Sequence, residues 1–231
     1  MSLRSKHHRK ARIARLHQAA RHHIAKDGVQ GLRLNTLAKE LGYTSAALYR
    51  YYPSKESLIS ELQKESLFVM HRSLLQCLTS LDAPSPLAHL LLCTDFYIEY
   101  ASNSPASFAL NSSIFSNPSI LLHGEKRAEI IQAMKALLLV IQRHLVDVEV
   151  VSSEDNLSRS LCLWSSLHGV LLTRKYQQDF PVPCPRDFVS TLLLGWGIPY
   201  SNLHEAQQLL AISSLKKQMA SFTHLDSLEV Q

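Results

Sequence analysis

The feature that most constrains the fold is a pair of short helical patterns, separated by a glycine, between Leu32 and Leu58. Gly42 lies between the two patterns, and glycine adopts the left-handed conformation at a helix end without a steric penalty. The first pattern places apolar residues at i, i+3, i+4 and i+7, so that one face of a short helix can pack inward; these residues are Leu34, Leu37, Ala38 and Leu41. The spacing therefore predicts a short helix that stops at a tight turn.

The second pattern is a brief helix behind that turn. Thr44 or Ser45 can cap it, because a hydroxyl accepts a hydrogen bond from an otherwise unpaired backbone N–H. Pro53 ends it, because proline disfavours the helical conformation of the preceding residue. Leu48 and Tyr52, four residues apart, are expected to face inward, which leaves an outer face of Ser45, Ala46, Ala47, Tyr49, Arg50 and Tyr51. Small residues, aromatic hydroxyls and one arginine suit a groove better than open water.

A long third helix is predicted directly behind these two. Ser54 is expected to cap it, and the apolar pattern continues to about Ser80. Lys55 lies in its first turn, where a positive charge opposes the helix dipole. A phosphate bound between the helix N-terminus and the ammonium group would remove that penalty. The stretch therefore predicts a helix-turn-helix followed by a phosphate-binding lysine.

Charge is distributed unevenly along the 231 residues. Residues 1–55 contain 12 lysines and arginines against two acids, a net charge of +10, whereas residues 56–231 contain 12 against 17, a net charge of −5. Residues 1–55 therefore form a basic head, and such a charge favours a polyanionic partner such as nucleic acid. A membrane surface is the competing partner, but the first helix lacks the large apolar face of an interfacial anchor. Residues 4–12, basic and without apolar periodicity, fit either a solvated terminus or an arm that contacts DNA.

The segment from Ile13 to Leu58 resembles the DNA-binding domain of the tetracycline-repressor (TetR) family. The resemblance implies an all-α fold, with an N-terminal three-helix helix-turn-helix DNA-binding domain over residues 1–53 and a larger helical ligand-binding and dimerisation domain over residues 54–231. It also implies a homodimeric, ligand-responsive transcriptional repressor. The elements that carry it agree in order and register: Leu37-Ala38, Leu41-Gly42-Tyr43, Leu48-Tyr49 and Pro53-Ser54-Lys55-Glu56.

Two positions depart from the family pattern. Arg33 stands where the family often has a capping threonine, which makes Asn35 the expected cap of the first short helix. Tyr51 stands where a histidine is common. These departures affect the details of base contact and leave the predicted fold unchanged.

The resemblance assigns contacts with double-stranded DNA to Thr44, Ser45, Ala46, Ala47, Tyr49, Arg50, Tyr51 and Lys55. Arg50 can read guanine, and the two alanine methyls can contact thymine methyls in the major groove. Tyr49, Tyr51 and Lys55 are expected at phosphates. A symmetric dimer requires a roughly palindromic operator, with recognition helices about 34–36 Å apart or separated by a multiple of one turn.

Two helices near the C-terminus have surplus apolar surface. The first, from about Ser152 to Gln178, carries a stripe of small residues that lets another helix approach closely; this stripe includes Ser158, Cys162, Ser165 and Gly169. The second, from Arg186 to Gly197, contributes Leu192 and Trp196. The residues alone also fit an intramolecular core. The resemblance places a homodimer interface on these two helices.

Nine side chains fall in segments where the family builds its ligand pocket: Phe68, Phe96, Tyr97, Tyr100, Phe108, Phe115, Met134, Trp164 and His168. Each of them alone also fits an ordinary core position. Together they imply a small effector that is mostly apolar or aromatic, with a few polar handles. The alternative is that the fold serves as a DNA-binding scaffold that docks a protein partner and has no small-molecule effector.

Signals for catalysis, metal binding and membrane insertion are weak. The chain has no Gly-rich phosphate loop, no G-x-S-x-G and no H-E-x-x-H, and its four cysteines form no C-x-x-C pair. His89 and Cys93 lie one helical turn apart without a third metal ligand in view. No run of apolar residues is as long as the about 18 residues that a membrane-spanning helix needs. We therefore expect a cytoplasmic protein that is not an enzyme and needs no metal or cofactor.

Overall fold

The computed structural model describes residues 3–80, 85–116, 125–150, 157–212, 215–224 and 226. Within these residues the fold is all-α and contains no strand, as the sequence predicts. A short 3-10 helix, Arg174–Tyr176, follows the eighth α-helix. The α-helices are α1 (Leu3–Gly31), α2 (Leu34–Glu40), α3 (Ser45–Tyr49), α4 (Lys55–Thr79), α5 (Pro86–Asn103), α6 (Pro105–Ser116), α7 (Glu125–Asp147), α8 (Ser158–Thr173), α9 (Pro185–Gly195), α10 (Tyr200–Ile212) and α11 (Leu215–Thr223).

The backbone forms two compact units. The first comprises Met1–Met70, Ser104–Ala133 and His224–Gln231, and the second comprises His71–Asn103 and Met134–Thr223. The helix-turn-helix and α6 belong to the first unit, whereas α5 and α8 to α11 belong to the second. The functional boundary between residues 53 and 54 stays a prediction.

A single apolar core holds the first unit together. It takes side chains from α1, α2, α3, the start of α4, and α6. The short helices α2 and α3 are therefore stabilised by packing against the longer helices. The predicted inward residues are buried: Leu34, Leu37 and Ala38 on α2, and Leu48 on α3. Leu41 and Tyr43 pack against the same core and are partly buried.

The first helix starts earlier than predicted and ends where predicted. The sequence predicts a helix from about Arg9 to Lys26 that ends at Gly28, whereas the helical backbone begins at Leu3. Gly28 has a φ of 69° and a ψ of 173°, which are not helical, so it separates this helix from a short helical segment that continues to Gly31. The backbone of residues 4–12 is helical and the side chains of residues 7–12 are exposed, so the solvated terminus and the DNA-contacting arm both stay predictions. Backbone hydrogen bonds form a helix there without an apolar face.

Two further boundaries differ from expectation. Asn35 lies inside α2, and Arg33 occupies the N-cap position without a side-chain cap. The helix predicted to start near Ser152 begins at Ser158, and residues 151–156 lie outside the described residues. The helix predicted from about Ser201 to Met219 corresponds to α10 and α11, and residues 213 and 214 between them lie outside the described residues.

The second unit is built around α5, against which α8, α9, α10 and α11 pack. Most side chains of α5 are buried, because its sequence is apolar on nearly every side. Among the described residues, no helix is both long enough and apolar enough to cross a membrane.

Candidate DNA-binding and ligand sites

The turn between α2 and α3 is formed by local hydrogen bonds. Gly42 has a φ of 71°, in the left-handed region, and the backbone N–H of Tyr43 donates to the carbonyl of Ala38 at 2.8 Å. The Thr44 hydroxyl then accepts from the backbone N–H of Ala47 at 3.1 Å, which makes Thr44 the N-cap of α3. These interactions fix where α3 begins and which of its faces points outward.

Most of the predicted DNA-contact residues lie on the outer face of α3. Leu48 is fully buried beneath the helix, so the opposite face points away from the core. Ser45, Ala46, Tyr49 and Arg50 are exposed, as is the capping residue Thr44. The remaining three, Ala47, Tyr51 and Lys55, are partly buried.

The start of α4 brings two cations to one carbonyl. The Lys55 ammonium donates to the Gln30 carbonyl oxygen at 2.9 Å, and the Arg33 guanidinium donates to the same oxygen at 2.6 Å. Burial, followed by the charge of Arg33, lowers the pKa of Lys55. The hydroxyl of Ser54 accepts from the backbone N–H of Ser57 at 3.1 Å, which confirms Ser54 as the cap. Two cations beside a helix N-terminus make a favourable environment for a phosphate.

Four polar side chains, which no sequence pattern predicts as a group, lie together just after the end of α3. The Tyr52 hydroxyl and Nε2 of His17 are 2.5 Å apart, and Nδ1 of His17 is 2.9 Å from the carboxylate of Glu65. The guanidinium of Arg21 donates to the same Glu65 oxygen at 3.2 Å. Burial alone raises the pKa of Glu65, but the hydrogen bonds and charges of His17 and Arg21 outweigh it and lower that pKa. Glu65 is therefore held as a carboxylate.

Four of the nine predicted ligand residues form one aromatic group in the second unit. The rings of Trp164 and His168 are stacked at 5.0 Å, and the rings of Tyr97 and Tyr100 at 5.9 Å. The hydroxyl of Tyr97 lies 2.6 Å from Nδ1 of His168 and joins the two pairs. This group combines ring faces with the polar atoms of two hydroxyls, an indole and an imidazole, and its role as a ligand site stays a prediction.

The other five predicted ligand residues are divided between the two units. Phe96 is buried and Met134 is partly buried, and both lie in the second unit. Phe68, Phe108 and Phe115 belong to the first unit, where Phe68 is 57% exposed, Phe115 is 47% exposed and Phe108 is partly buried. The assignment of all nine residues to one pocket stays a prediction.

The burial of His168 predicts a pH-dependent stability. Desolvation lowers the pKa of His168 to about 4, below its ordinary value near 6.5. Between these two pH values the unfolded chain binds a proton that the folded chain does not, so the free energy of unfolding falls as the pH falls. The decrease in the free energy of unfolding that His168 causes begins near pH 6.5. It reaches at most roughly 3 kcal/mol near pH 4.

Denaturant unfolding at a series of pH values measures this dependence. His168→Gln should flatten the decline below pH 6.5, since glutamine does not titrate. His204→Gln is the matched control, because His204 is exposed on α10 and should leave the decline unchanged. Equal slopes in wild type and His168→Gln would show that His168 does not contribute to it.

The predicted dimer residues lie on one side of α8 and α9. Ser158, Cys162, Ser165 and Gly169 of α8 are exposed, while Leu192 and Trp196 at the end of α9 are partly buried. Two larger apolar residues, Leu161 and Leu172, are 44% and 39% exposed on α8. The exposed face of α8 is therefore a mixture of small and apolar residues, and nothing within 4 Å would meet a Cβ added at Gly169.

A cavity of about 430 Å³ lies elsewhere in the second unit, between α5, α9, α10 and α11. Its wall includes the apolar side chains of Leu91, Val189 and Met219. At its edge the guanidinium of Arg186 donates to Asp95 at 2.7 Å and to Glu99 at 2.9 Å. None of the nine predicted ligand residues lines it. The acidic pair one turn apart on α5 is the sequence signal that could have marked this edge.

Metal-binding chemistry has no counterpart in the described part of the chain. No group of three or more histidine, cysteine, aspartate or glutamate residues there is arranged to hold a metal ion. His89 instead stacks on His144 at 5.4 Å, and Nδ1 of His89 lies 3.0 Å from the carbonyl of Ser85.

An exposed, capped recognition helix on a basic head defines a helix-turn-helix DNA-binding protein. Residues 16–62 match the family model described as bacterial regulatory proteins, tetR family. The protein is therefore a DNA-binding transcriptional regulator, and its helix-turn-helix domain belongs to the TetR family. No curated protein matches the sequence significantly.

Solved structures show the same fold at low sequence identity. A TetR-family transcriptional regulator from Bordetella parapertussis 12822 is 16% identical, with a TM-score of 0.56 over 81% of this chain and 95% of that one. FadR from Bacillus subtilis in complex with stearoyl-CoA is 16% identical, with a TM-score of 0.52 over 80% and 98%. AibR in complex with isovaleryl coenzyme A and operator DNA is 17% identical, with a TM-score of 0.51 over 78% and 94%. At these identities the likeness establishes the fold alone.

Proposed function

We propose that the protein is a homodimeric repressor that binds a palindromic operator and is released by a small, largely apolar or aromatic effector. The observation that carries the proposal is the outer face of α3, where Ser45, Ala46, Tyr49 and Arg50 are exposed above a fully buried Leu48. The net charge of +10 over residues 1–55 supports double-stranded DNA as the partner. Such a protein acts in the cytoplasm, where bacterial DNA is accessible to it.

Within this proposal the predicted DNA-contact residues have two different roles. Arg50 reads a guanine edge and the methyls of Ala46 and Ala47 contact thymine, which gives sequence preference. Tyr49, Tyr51 and Lys55 bind phosphates, with the hydroxyls of Thr44 and Ser45 assisting, which fixes the register without reading sequence. Lys55 would then exchange the carbonyl of Gln30 for a phosphate oxygen.

The exposed face of α8 supports a homodimer. Leu161 and Leu172 are exposed apolar residues beside small ones, and an apolar face of this kind favours burial against another protein surface. The same patch on a second copy provides a self-complementary partner, as a two-fold interface requires. Ser158, Cys162, Ser165 and Gly169 would let the two copies of α8 approach closely, with Leu192 and Trp196 of α9 beside them.

Replacing Gly169 by leucine should separate the dimer without disturbing the protomer. A side chain at this position meets nothing within 4 Å in the single chain, but it would hold two closely packed helices apart. Light scattering coupled to size-exclusion chromatography should give the mass of one chain for Gly169→Leu and of two chains for wild type. Gly169→Ala is the matched control and should remain dimeric, since alanine is small and favours the helix by about 1 kcal/mol over glycine. A dimeric Gly169→Leu would place the interface elsewhere.

The aromatic group around Trp164 supports a small-molecule effector. Tyr97, Tyr100, Trp164 and His168 offer ring faces and a hydroxyl-imidazole pair within the helical body. Two proteins of similar fold are seen in complex with acyl-CoA molecules, which shows that the fold can hold small molecules. To shift the operator-binding form from 99:1 to 1:99, an effector must favour the other form by about 5.5 kcal/mol.

Tryptophan fluorescence tests for this effector. The chain contains two tryptophans, so Trp196→Phe leaves Trp164 as the only one. Apolar and aromatic compounds, including acyl-CoA thioesters, are titrated against this variant after its mass and DNA binding have been checked. The proposal predicts that a compound that changes the Trp164 emission also releases the operator. Operator binding that responds to none of them would favour the scaffold with a protein partner.

A further inference from the structure

A continuous series of hydrogen bonds in the first unit links Tyr52, just after α3, to Asp226. It begins at Tyr52, whose backbone N–H donates to the carbonyl of Leu48 at 3.0 Å, so the position of Tyr52 is tied to the last turn of α3. Its hydroxyl contacts His17 of α1, which is only 7% exposed. The end of the recognition helix is therefore held by a polar contact in addition to its apolar core.

The contacts of the series follow one another without a break. Burial raises the pKa of Tyr52, so its hydroxyl keeps its proton. Nε2 of His17 is hydrogen-bonded to this hydroxyl, and Nδ1 of His17 is hydrogen-bonded to the carboxylate of Glu65. Arg21 then donates to Glu65 at 3.2 Å and, through its other terminal nitrogen, to the hydroxyl of Ser107 at 3.3 Å. The series is therefore continuous from Tyr52 to Ser107.

The series ends at Asp226, which holds the start of α6. The Asp226 carboxylate accepts from the backbone N–H groups of Ala106 and Ser107, each at 2.9 Å. It also accepts from the hydroxyl of Ser107 at 2.5 Å. A carboxylate at these N–H groups satisfies donors that a helix leaves unpaired and complements its dipole. It also directs the Ser107 hydroxyl proton toward Asp226, which leaves the oxygen lone pairs to Arg21.

We propose that Asp226, together with Ser107, Arg21, Glu65 and His17, forms a positioning network that sets the orientation of the recognition helix through Tyr52. Asp226 is then a positioning residue for DNA binding that lies outside the helix-turn-helix segment in sequence. Replacing its carboxylate by a neutral amide removes the negative charge and one of the two acceptor oxygens at the start of α6, which weakens the contact with Ser107. Arg21 is then held less tightly on Glu65, and so is His17 beneath Tyr52. The inference rests on the proposed DNA-binding function.

The test uses the full-length protein and a duplex recovered from random-sequence DNA by selection with wild type. Tyr52→Phe and Asp226→Asn should each weaken binding to this duplex by about tenfold. Binding to an unrelated duplex should stay within about twofold, because non-specific binding depends on phosphate charge and tolerates a displaced recognition helix. The double variant should be little weaker than either single variant, since one break already interrupts the network. Asp179→Asn is the matched control, as Asp179 is an exposed carboxylate of the second unit.

Three results would overturn the proposal. The first is an Asp226→Asn protein that binds the selected duplex as wild type does. The second is an equal loss on selected and unrelated DNA. The third is a double variant whose loss equals the product of the two single losses. Circular dichroism confirms that each variant is folded, and Ser107→Ala, which removes only one hydroxyl, repeats the test with a smaller change. Failure of wild type to select any duplex would count against DNA binding itself, a result distinct from these three.

Discussion

Replacing Leu48 by alanine is expected to abolish operator binding by destabilising the helix-turn-helix domain. Leu48 is fully buried and belongs to the core shared by α1, α2, α3, α4 and α6. Truncation of a buried leucine costs about 2–5 kcal/mol, because apolar contacts are lost and a cavity remains. The free energy of unfolding of a small domain is only a few kcal/mol, so a loss of this size leaves a large fraction of the helix-turn-helix domains unfolded. Denaturant unfolding and operator binding, measured on the same preparation, check both parts.

Leu139→Ala is the matched control for this change. Leu139 lies on α7 and is 56% exposed, so the same truncation removes little buried surface and should change the stability by less than about 0.5 kcal/mol. A Leu48→Ala protein that unfolds at the same denaturant concentration as wild type would show that α3 is not held by this core.

Arg50→Ala is expected to remove sequence preference at one position of each half-site. Arg50 is exposed at the end of α3, and a bidentate arginine–guanine pair contributes about 1–3 kcal/mol of discrimination against the wrong base. Lys55→Ala should instead weaken binding to every sequence and reduce the slope of log K against log salt by about 0.9 per phosphate in each head. Competition among single-base variants of the operator, at several salt concentrations, separates the two effects.

Two controls strengthen this comparison. Arg143→Ala and Lys135→Ala remove the same charges from exposed positions on α7, outside the first unit, and should leave both preference and salt slope unchanged. If the operator preference of Arg50→Ala is unaltered, Arg50 contacts only the backbone. If the salt slope of Lys55→Ala equals that of wild type, Lys55 is not a phosphate contact.

The local geometry of the helix-turn-helix could be predicted from sequence because each boundary depends on a nearby residue. Gly42 takes a left-handed conformation, Thr44 caps α3 and Ser54 caps α4, and each effect involves groups within five residues of one another. The inward position of Leu48 follows from helical spacing and is confirmed by its burial. Interactions of this range can be read from the order of residues alone.

The polar network beneath α3 could not be predicted in the same way. His17, Glu65 and Asp226 are far apart in sequence, and each is compatible with a solvated helix face. Only the packing of α1 against α4 and α6 brings them together, and tertiary packing is not encoded in local spacing. Asp226 illustrates this most clearly, since nothing in the sequence near it indicates a partner, yet its carboxylate caps α6.

For the nine residues expected in a ligand pocket, the sequence could indicate the type of side chain and could not indicate which of them lie together. Tyr97, Trp164 and His168 meet, whereas Phe68 and Phe115 are exposed in the first unit. An aromatic residue in a helix predicts that its side chain is at least partly buried. It does not predict which other helix the side chain packs against. The cavity beside Arg186 escaped prediction because its walls come from four helices and its charged edge resembles ordinary surface ion pairs.

Selection of genomic DNA fragments by the purified protein is the most direct test that it is a dimeric, operator-binding regulator. A few fragments that share a palindrome should be enriched, with half-site centres one helical turn or a multiple of it apart, each bound by two chains. The Gly169→Leu monomer should bind the same fragments much more weakly. Enrichment of no sequence, or of sites without two-fold symmetry that bind a single chain, would show that the protein is not such a regulator.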